Sequence, residues 1–248
     1  LVGILVLHRG RIVLERYALG LQENDRWSTM STVKSMTAVL VGAALHDGSL
    51  ESIDAPLTRY LPALAGSAYE GVTLRHVLTM SSGTQWTEDY TDPSSDVNRF
   101  SKSLADRVPG GVLALMASLP RAHPPGTTFL YNSGDTYLLG AALTRAVGMP
   151  LADYMSQRIW QPAGMEFDGF YTVGGSRAGM ALRDFGRFAQ FVLDDGVIDG
   201  RRVLPEGWID AMATPAFALA APTVSDITQY GFSWWLGDGV MSALGHAG

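Results

Sequence analysis

Apolar positions open the chain almost without interruption. Residues 1–7 are apolar apart from Gly3, Arg9 and Gly10 break the run, and Ile12, Val13 and Leu14 resume it. This pattern predicts a buried strand, a tight turn and a second strand. The period then changes. Met36, Val39, Leu40, Ala43 and Ala44 recur at helical spacing, which predicts a helix over 31–46 with one apolar stripe, stopped by Gly48. The same spacing predicts helices over 135–147, ended by Gly148, over 151–160, opened by Pro150, and over 181–193, ended by Gly196. Turn residues mark loops at 91–95 and 123–128, and residues 230–235 read as an aromatic strand. Strands at both ends around a largely helical middle predict an α+β fold without internal repeats.

The first residue, Leu1, already lies in a predicted strand, and the last four, Gly245, His246, Ala247 and Gly248, follow the aromatic segment with no closing helix. The expectation is a single domain over residues 1–248, truncated at both ends. A leader peptide on a longer parent would then not be visible, so cytoplasmic and periplasmic locations both stay open.

Composition narrows the partners. With 47% apolar and 17% charged residues, the 248-residue chain can bury a sizeable core. Its net charge of -6 is spread without long runs of one sign, which argues against a nucleic acid or an anionic membrane held on a basic face. No apolar run approaches the roughly 18 residues of a membrane span. The absence of Cys removes disulfides, thiolate metal sites and a cysteine nucleophile. A small molecule is the expected partner.

One bias points to chemistry. Of 18 basic residues only two, Lys34 and Lys102, are lysines. Arg serves wherever a solvated positive charge is enough, but only Lys can give up its proton in a suitable environment. Lys34 stands three residues after Ser31, so both side chains share one face of a helix's first turn and can hydrogen-bond. The positive end of the helix dipole favours an oxyanion near Ser31 and disfavours an ammonium at Lys34. Two readings are open: a nucleophile with its base, or a helix-capping Ser beside a solvated Lys. Further on, Tyr131 and Ser133 lie on a turn before a helix, where a phenol could relay a proton. Near the end, His246 and Gly248 place a polar side chain and a small residue where a substrate could lie along a strand edge.

In this order, Ser31-x-x-Lys34, Tyr131-x-Ser133 and His246-x-Gly248 resemble the three motifs of the serine β-lactamase and DD-peptidase superfamily. Residues 16–20, 47–50, 74–83 and 125–129 are similar to its class C-type members, and residues 60–71 and 88–96 are similar to the 6-aminohexanoate-dimer hydrolases and related carboxylesterases. The resemblance implies a β-lactamase/transpeptidase-like fold, with an antiparallel sheet flanked by helices and a helical region. It implies a serine hydrolase cleaving a small ester or amide, without metal or organic cofactor. Ser31, Lys34 and Tyr131 would be catalytic. Tyr90, Ser133, Trp235, His246 and Gly248 would bind substrate, with Tyr90 over the scissile nitrogen and Trp235 at the entrance. At Ser101 related amidases can carry an acid that holds a free amino group, so the resemblance supports esterase action more than amide cleavage. Class C β-lactamases would have Asn at Ser133 and Lys at His246.

The alternatives are a β-lactamase or D-Ala-D-Ala carboxypeptidase, and a non-catalytic relative that binds such ligands as a sensor. A Ser-His-Asp hydrolase would want a G-x-S-x-G elbow, and residues 174–178 miss its last position.

Overall fold

The computed structural model describes residues 2–220 and 226–246. Its first element is the predicted hairpin: β1 (Gly3–His8) pairs antiparallel with β2 (Arg11–Tyr17) through a turn at Arg9 and Gly10, both at positive φ. The strands are half-buried rather than buried, because helix α8 (Leu182–Leu193) covers one face only. Gly186 of that helix lies so close to Leu5 that a Cβ there would sit 2.4 Å from its Cδ2.

After the short strand β3 (Trp27–Ser28) comes α1 (Thr32–His46), as the sequence predicts. Its burial differs from the expected single stripe, since every residue from Val33 to Ala44 is buried. A helix covered on all sides is a core helix. Small residues let its neighbours close in. The Trp208 indole donates to the Ala38 carbonyl at 3.2 Å, and a Cβ at Gly42 would lie 2.3 Å from that indole nitrogen. Gly48 follows at φ +79, the expected left-handed stop.

Short helices α2 (Leu57–Tyr60) and α3 (Leu74–Leu78) lead to α4 (Asp96–Asp106) and α5 (Gly111–Ser118). The predicted loops at 91–95 and 123–128 are present on either side of these helices. Asn132 then caps α6 (Ser133–Val147), which packs against α1 and ends at Gly148, φ +70. Pro150 opens α7 (Leu151–Met155). The predicted helix over 151–160 changes character halfway, because residues Ser156–Trp160 form a π turn. There Gln161 N–H reaches back five residues to the Ser156 carbonyl at 3.0 Å, while the Trp160 indole is held by the Phe167 carbonyl at 3.0 Å.

The remaining strands are short and antiparallel. In chain order they are β4 (Phe170–Tyr171) and β5 (Ala178–Met180), then, after α8 (Leu182–Leu193), the pair β6 (Val197–Ile198) and β7 (Arg201–Arg202). Helix α9 (Trp208–Ala213) precedes β8 (Phe217–Ala218), β9 (Ile227–Tyr230), β10 (Trp235–Gly237) and β11 (Val240–Ser242). Among the described residues β3, β5 and β4 form one three-stranded sheet in the order β3-β5-β4, and the last four strands form another in the order β11-β10-β9-β8. The expected strand over 230–235 is in fact a reversal: Tyr230 pairs with Trp235 across a tight turn in which Gly231 N–H bonds to the Trp234 carbonyl at 2.9 Å. Phe232 and Trp234 are buried there as turn residues, so their apolar character does not mark a strand. No helix among the described residues is long and apolar enough to cross a membrane.

Candidate active site

Three separate stretches of chain meet at the start of α1. Thr29 N–H bonds to the Ala178 carbonyl at 2.9 Å, which fastens the residues before Ser31 to β5. Thr32 Oγ1 donates to the Ala243 carbonyl at 3.2 Å, which brings in the end of the chain. Gly245 packs directly on this corner, where a Cβ would come within 2.6 Å of the Thr29 carbonyl and 3.3 Å of Ser31 N. The turn before Ser31 is sharp, and Met30 adopts φ +45, a conformation non-glycine residues occupy at a cost of order 1 kcal/mol.

The two readings of Ser31 now separate. Its side chain makes no capping hydrogen bond, although it occupies the N-cap position. Lys34 Nζ instead donates to Ser31 Oγ at 3.0 Å. Lys34 is buried, 6% exposed, so the solvated-lysine reading is also excluded. Burial pushes its pKa down to about 8, against a smaller opposite pull from the charge of Glu88. A substantial fraction of Lys34 is therefore neutral near pH 8.

Tyr131 lies beside this pair, with Lys34 Nζ 5.0 Å from its ring centroid. Burial raises the phenol's pKa well above its usual value, and the Ser31 side chain pulls in the opposite direction. The group is thus a neutral phenol, able to accept and donate. Trp235, expected at the substrate entrance, stacks on Tyr131 with ring centroids 5.4 Å apart and is not among the residues that line the cavity. It braces Tyr131 together with Tyr230.

A cavity of about 480 Å³ opens over Ser31 and Lys34. Tyr90, Ser133 and His246 line it, and the Tyr90 and His246 rings stack at 6.5 Å with planes 17° apart. Ser101 lines it too, on the same face of α4 as Val97, Phe100 and Leu104. Gly248 lies outside the described residues. Among the described residues no group of His, Asp and Glu converges in a way that could hold a metal ion.

Glu88 was not singled out from the sequence, and it organises one wall. Its carboxylate accepts from Tyr90 Oη at 2.8 Å and from Ser133 N–H at 3.1 Å, as well as from the Trp86 indole and the Ser133 hydroxyl. One acid thereby joins the loop before α4 to the Tyr131-x-Ser133 turn. Nothing local in the sequence signals this, since its partners lie up to 45 residues away.

A second acid sits deeper. Asp135, in the first turn of α6, is fully buried, accepts from Tyr69 Oη at 2.8 Å, and keeps Oδ2 unpaired among the described residues. Burial raises its pKa to about 7. Since the folded value lies above the unfolded one, its stabilising contribution is complete below about pH 4 and is lost as pH rises through 7. Asp135→Asn is therefore expected to gain about 2 kcal/mol over the parent between pH 5 and pH 8. Denaturant unfolding of both proteins at the two pH values checks this, and an unchanged difference would contradict the buried acid's role.

The family model described as beta-lactamase matches residues 2–248. The chain belongs to the beta-lactamase family. Within it, the chain is 30% identical over 254 residues to the 6-aminohexanoate-dimer hydrolase of Paenarthrobacter ureafaciens, a match covering 94% of this chain and 63% of that protein. It is 30% identical over 224 residues to esterase EstB of Burkholderia gladioli, covering 84% of this chain and 56% of that protein. The chain thus spans about three fifths of the length of these beta-lactamase-family relatives. Its fold is similar to that of an octameric penicillin-binding protein homologue from Pyrococcus abyssi, with a TM-score of 0.76, 17% identity and coverage of 94% of this chain and 60% of that one.

Proposed function

We propose that this protein is a serine hydrolase that cleaves a small ester or amide through an acyl-enzyme on Ser31. The observation that carries the reading is the 3.0 Å contact between Ser31 Oγ and a buried Lys34 whose pKa is lowered to about 8. Neutral Lys34 takes the hydroxyl proton as Ser31 Oγ bonds to the carbonyl carbon. The proton then passes, with Tyr131 as relay, to the leaving oxygen or nitrogen as its bond to carbon breaks. In the second half, water gives a proton to Lys34 while attacking the acyl carbon, and Ser31 leaves with that proton restored. Ser31 N–H makes no hydrogen bond to another described residue, so it supports one half of an oxyanion hole.

The relatives named as an amide-dimer hydrolase and an esterase favour this substrate class. Ser101 in place of an acid on the cavity wall favours esters. The test is a hydrolysis screen of p-nitrophenyl esters, 6-aminohexanoate dimer, D-amino-acid peptides and nitrocefin, with intact-mass detection of the acyl adduct. Ester turnover with an adduct on Ser31 is expected. Turnover of nitrocefin alone would move the assignment to a β-lactamase, and ligand binding without any adduct would move it to a sensor.

A further inference from the structure

The loop between β4 and β5 enters the active-site cavity by a route that only glycine permits. A Cβ at Gly175 would lie 2.7 Å from Thr37 Oγ1, and one at Gly140 of α6 would lie 2.2 Å from the Gly174 carbonyl. Gly174 and Gly175 both have positive φ, +69 and +64. The loop is thereby wedged against α1 and α6, and the next residues, Ser176 and Arg177, line the cavity.

Arg177 is held by its backbone. Thr172 N–H donates to the Arg177 carbonyl at 2.8 Å, and Arg177 N–H donates to Thr172 Oγ1 at 2.9 Å. The side chain is exposed, and its guanidinium forms no ion pair with a described residue. Among the described residues the cavity lining contains no Asp or Glu; its basic side chains are Lys34 at the nucleophile, His246, whose ring stacks on Tyr90, and Arg177. Glu88, the nearby acid of the site, is already occupied by Trp86, Tyr90 and Ser133. Elsewhere on the wall, α4 presents the apolar face of Val97, Phe100 and Leu104.

A cavity with an apolar wall and a cation on a backbone-fixed loop suits a short aliphatic chain ending in an anion. Among the described lining residues it offers no carboxylate to a substrate's ammonium group. We propose that Arg177 is a specificity residue that binds a carboxylate carried by the substrate, so that the preferred substrates are esters or amides with a free carboxylate at the end of a short aliphatic arm. This rests on the hydrolase reading above, for which it names the substrate class.

The experiment compares charged and neutral partners of equal length. One pair, mono-p-nitrophenyl adipate and its methyl ester, carries the charge on the acyl arm; the other, 5-carboxypentyl acetate and hexyl acetate, carries it on the leaving arm. In at least one pair the carboxylate form is expected to have a kcat/KM about fivefold higher, the size of an exposed ion pair, and the advantage should fade in high salt. Arg177→Glu is expected to reverse the preference toward ω-amino analogues, an effect that misfolding cannot imitate, and Arg177→Lys should retain part of it. Equal rates within both pairs, or a preference untouched by Arg177→Glu, would overturn the proposal while leaving the hydrolase reading intact. If no ester is turned over, that reading fails separately. Calorimetric binding of monomethyl adipate against dimethyl adipate to Ser31→Ala then still decides the role of Arg177, since tighter binding of the anion, lost in Arg177→Glu, is required.

Discussion

Replacing Ser31 with alanine is expected to lower kcat for p-nitrophenyl ester hydrolysis by at least about 10⁴-fold and to abolish the acyl adduct. The expected loss is large because the proposed reaction has no other atom to form the covalent intermediate, so only water attack aided by the remaining groups is left. Stability should fall by about 1 kcal/mol, because the buried Lys34 Nζ loses the hydroxyl it bonds to at 3.0 Å. The usual cost of removing an N-cap hydroxyl does not apply, because the Ser31 side chain makes no capping bond. Steady-state kinetics, intact-mass spectrometry and a thermal melt check the three parts together. Residual turnover above about one per cent of the parent, with an adduct still forming, would place the nucleophile elsewhere.

The second large effect is expected at Lys34. Lys34→Arg keeps a positive charge but cannot supply a neutral nitrogen at any working pH, so a loss of about 10³-fold or more in kcat is expected. Lys34→Met should lose activity equally. It should also be the more stable of the two, because it places an apolar chain where the charge is penalised by burial. The pair of variants separates a missing base from a damaged fold. In the parent, the pKa of Lys34 is lowered to about 8, so the base form accumulates as pH rises through that value. The kcat/KM of the parent should therefore climb from pH 6 and level off above about 9, with its midpoint near 8. A profile flat across this range, or an active Lys34→Arg, would show that Lys34 is not the base.

Much of the architecture could be read from local pattern because its causes are local. The hairpin of β1 and β2 follows from two apolar runs around Arg9 and Gly10, and α1, α6 and α8 follow from helical spacing with glycines near their ends. Errors arose where distant packing altered a local element. The helix opened by Pro150 relaxes into a π turn where Trp160 is held from Phe167, and the apolar run after Tyr230 reverses where Ser233, at positive φ, is held by the Leu78 carbonyl from 155 residues away. The all-round burial of α1 was also out of reach. A stripe of apolar residues specifies one buried face, whereas α6 and Trp208 arriving from elsewhere covered the others.

The pairing of Ser31 with Lys34 was determined by the sequence itself. Residues three apart at the start of a helix meet whatever surrounds them, and the scarcity of lysine marked Lys34 as one that arginine could not replace. What suits that lysine to the proposed role of base came from the tertiary structure, because burial lowers its pKa and burial is a property of the packed chain. The same holds for Tyr131 beside it, for Trp235 stacked behind Tyr131, and for Glu88 gathering Trp86, Tyr90 and Ser133. These contacts join residues tens of positions apart, and their energies depend on distances that chain order does not encode.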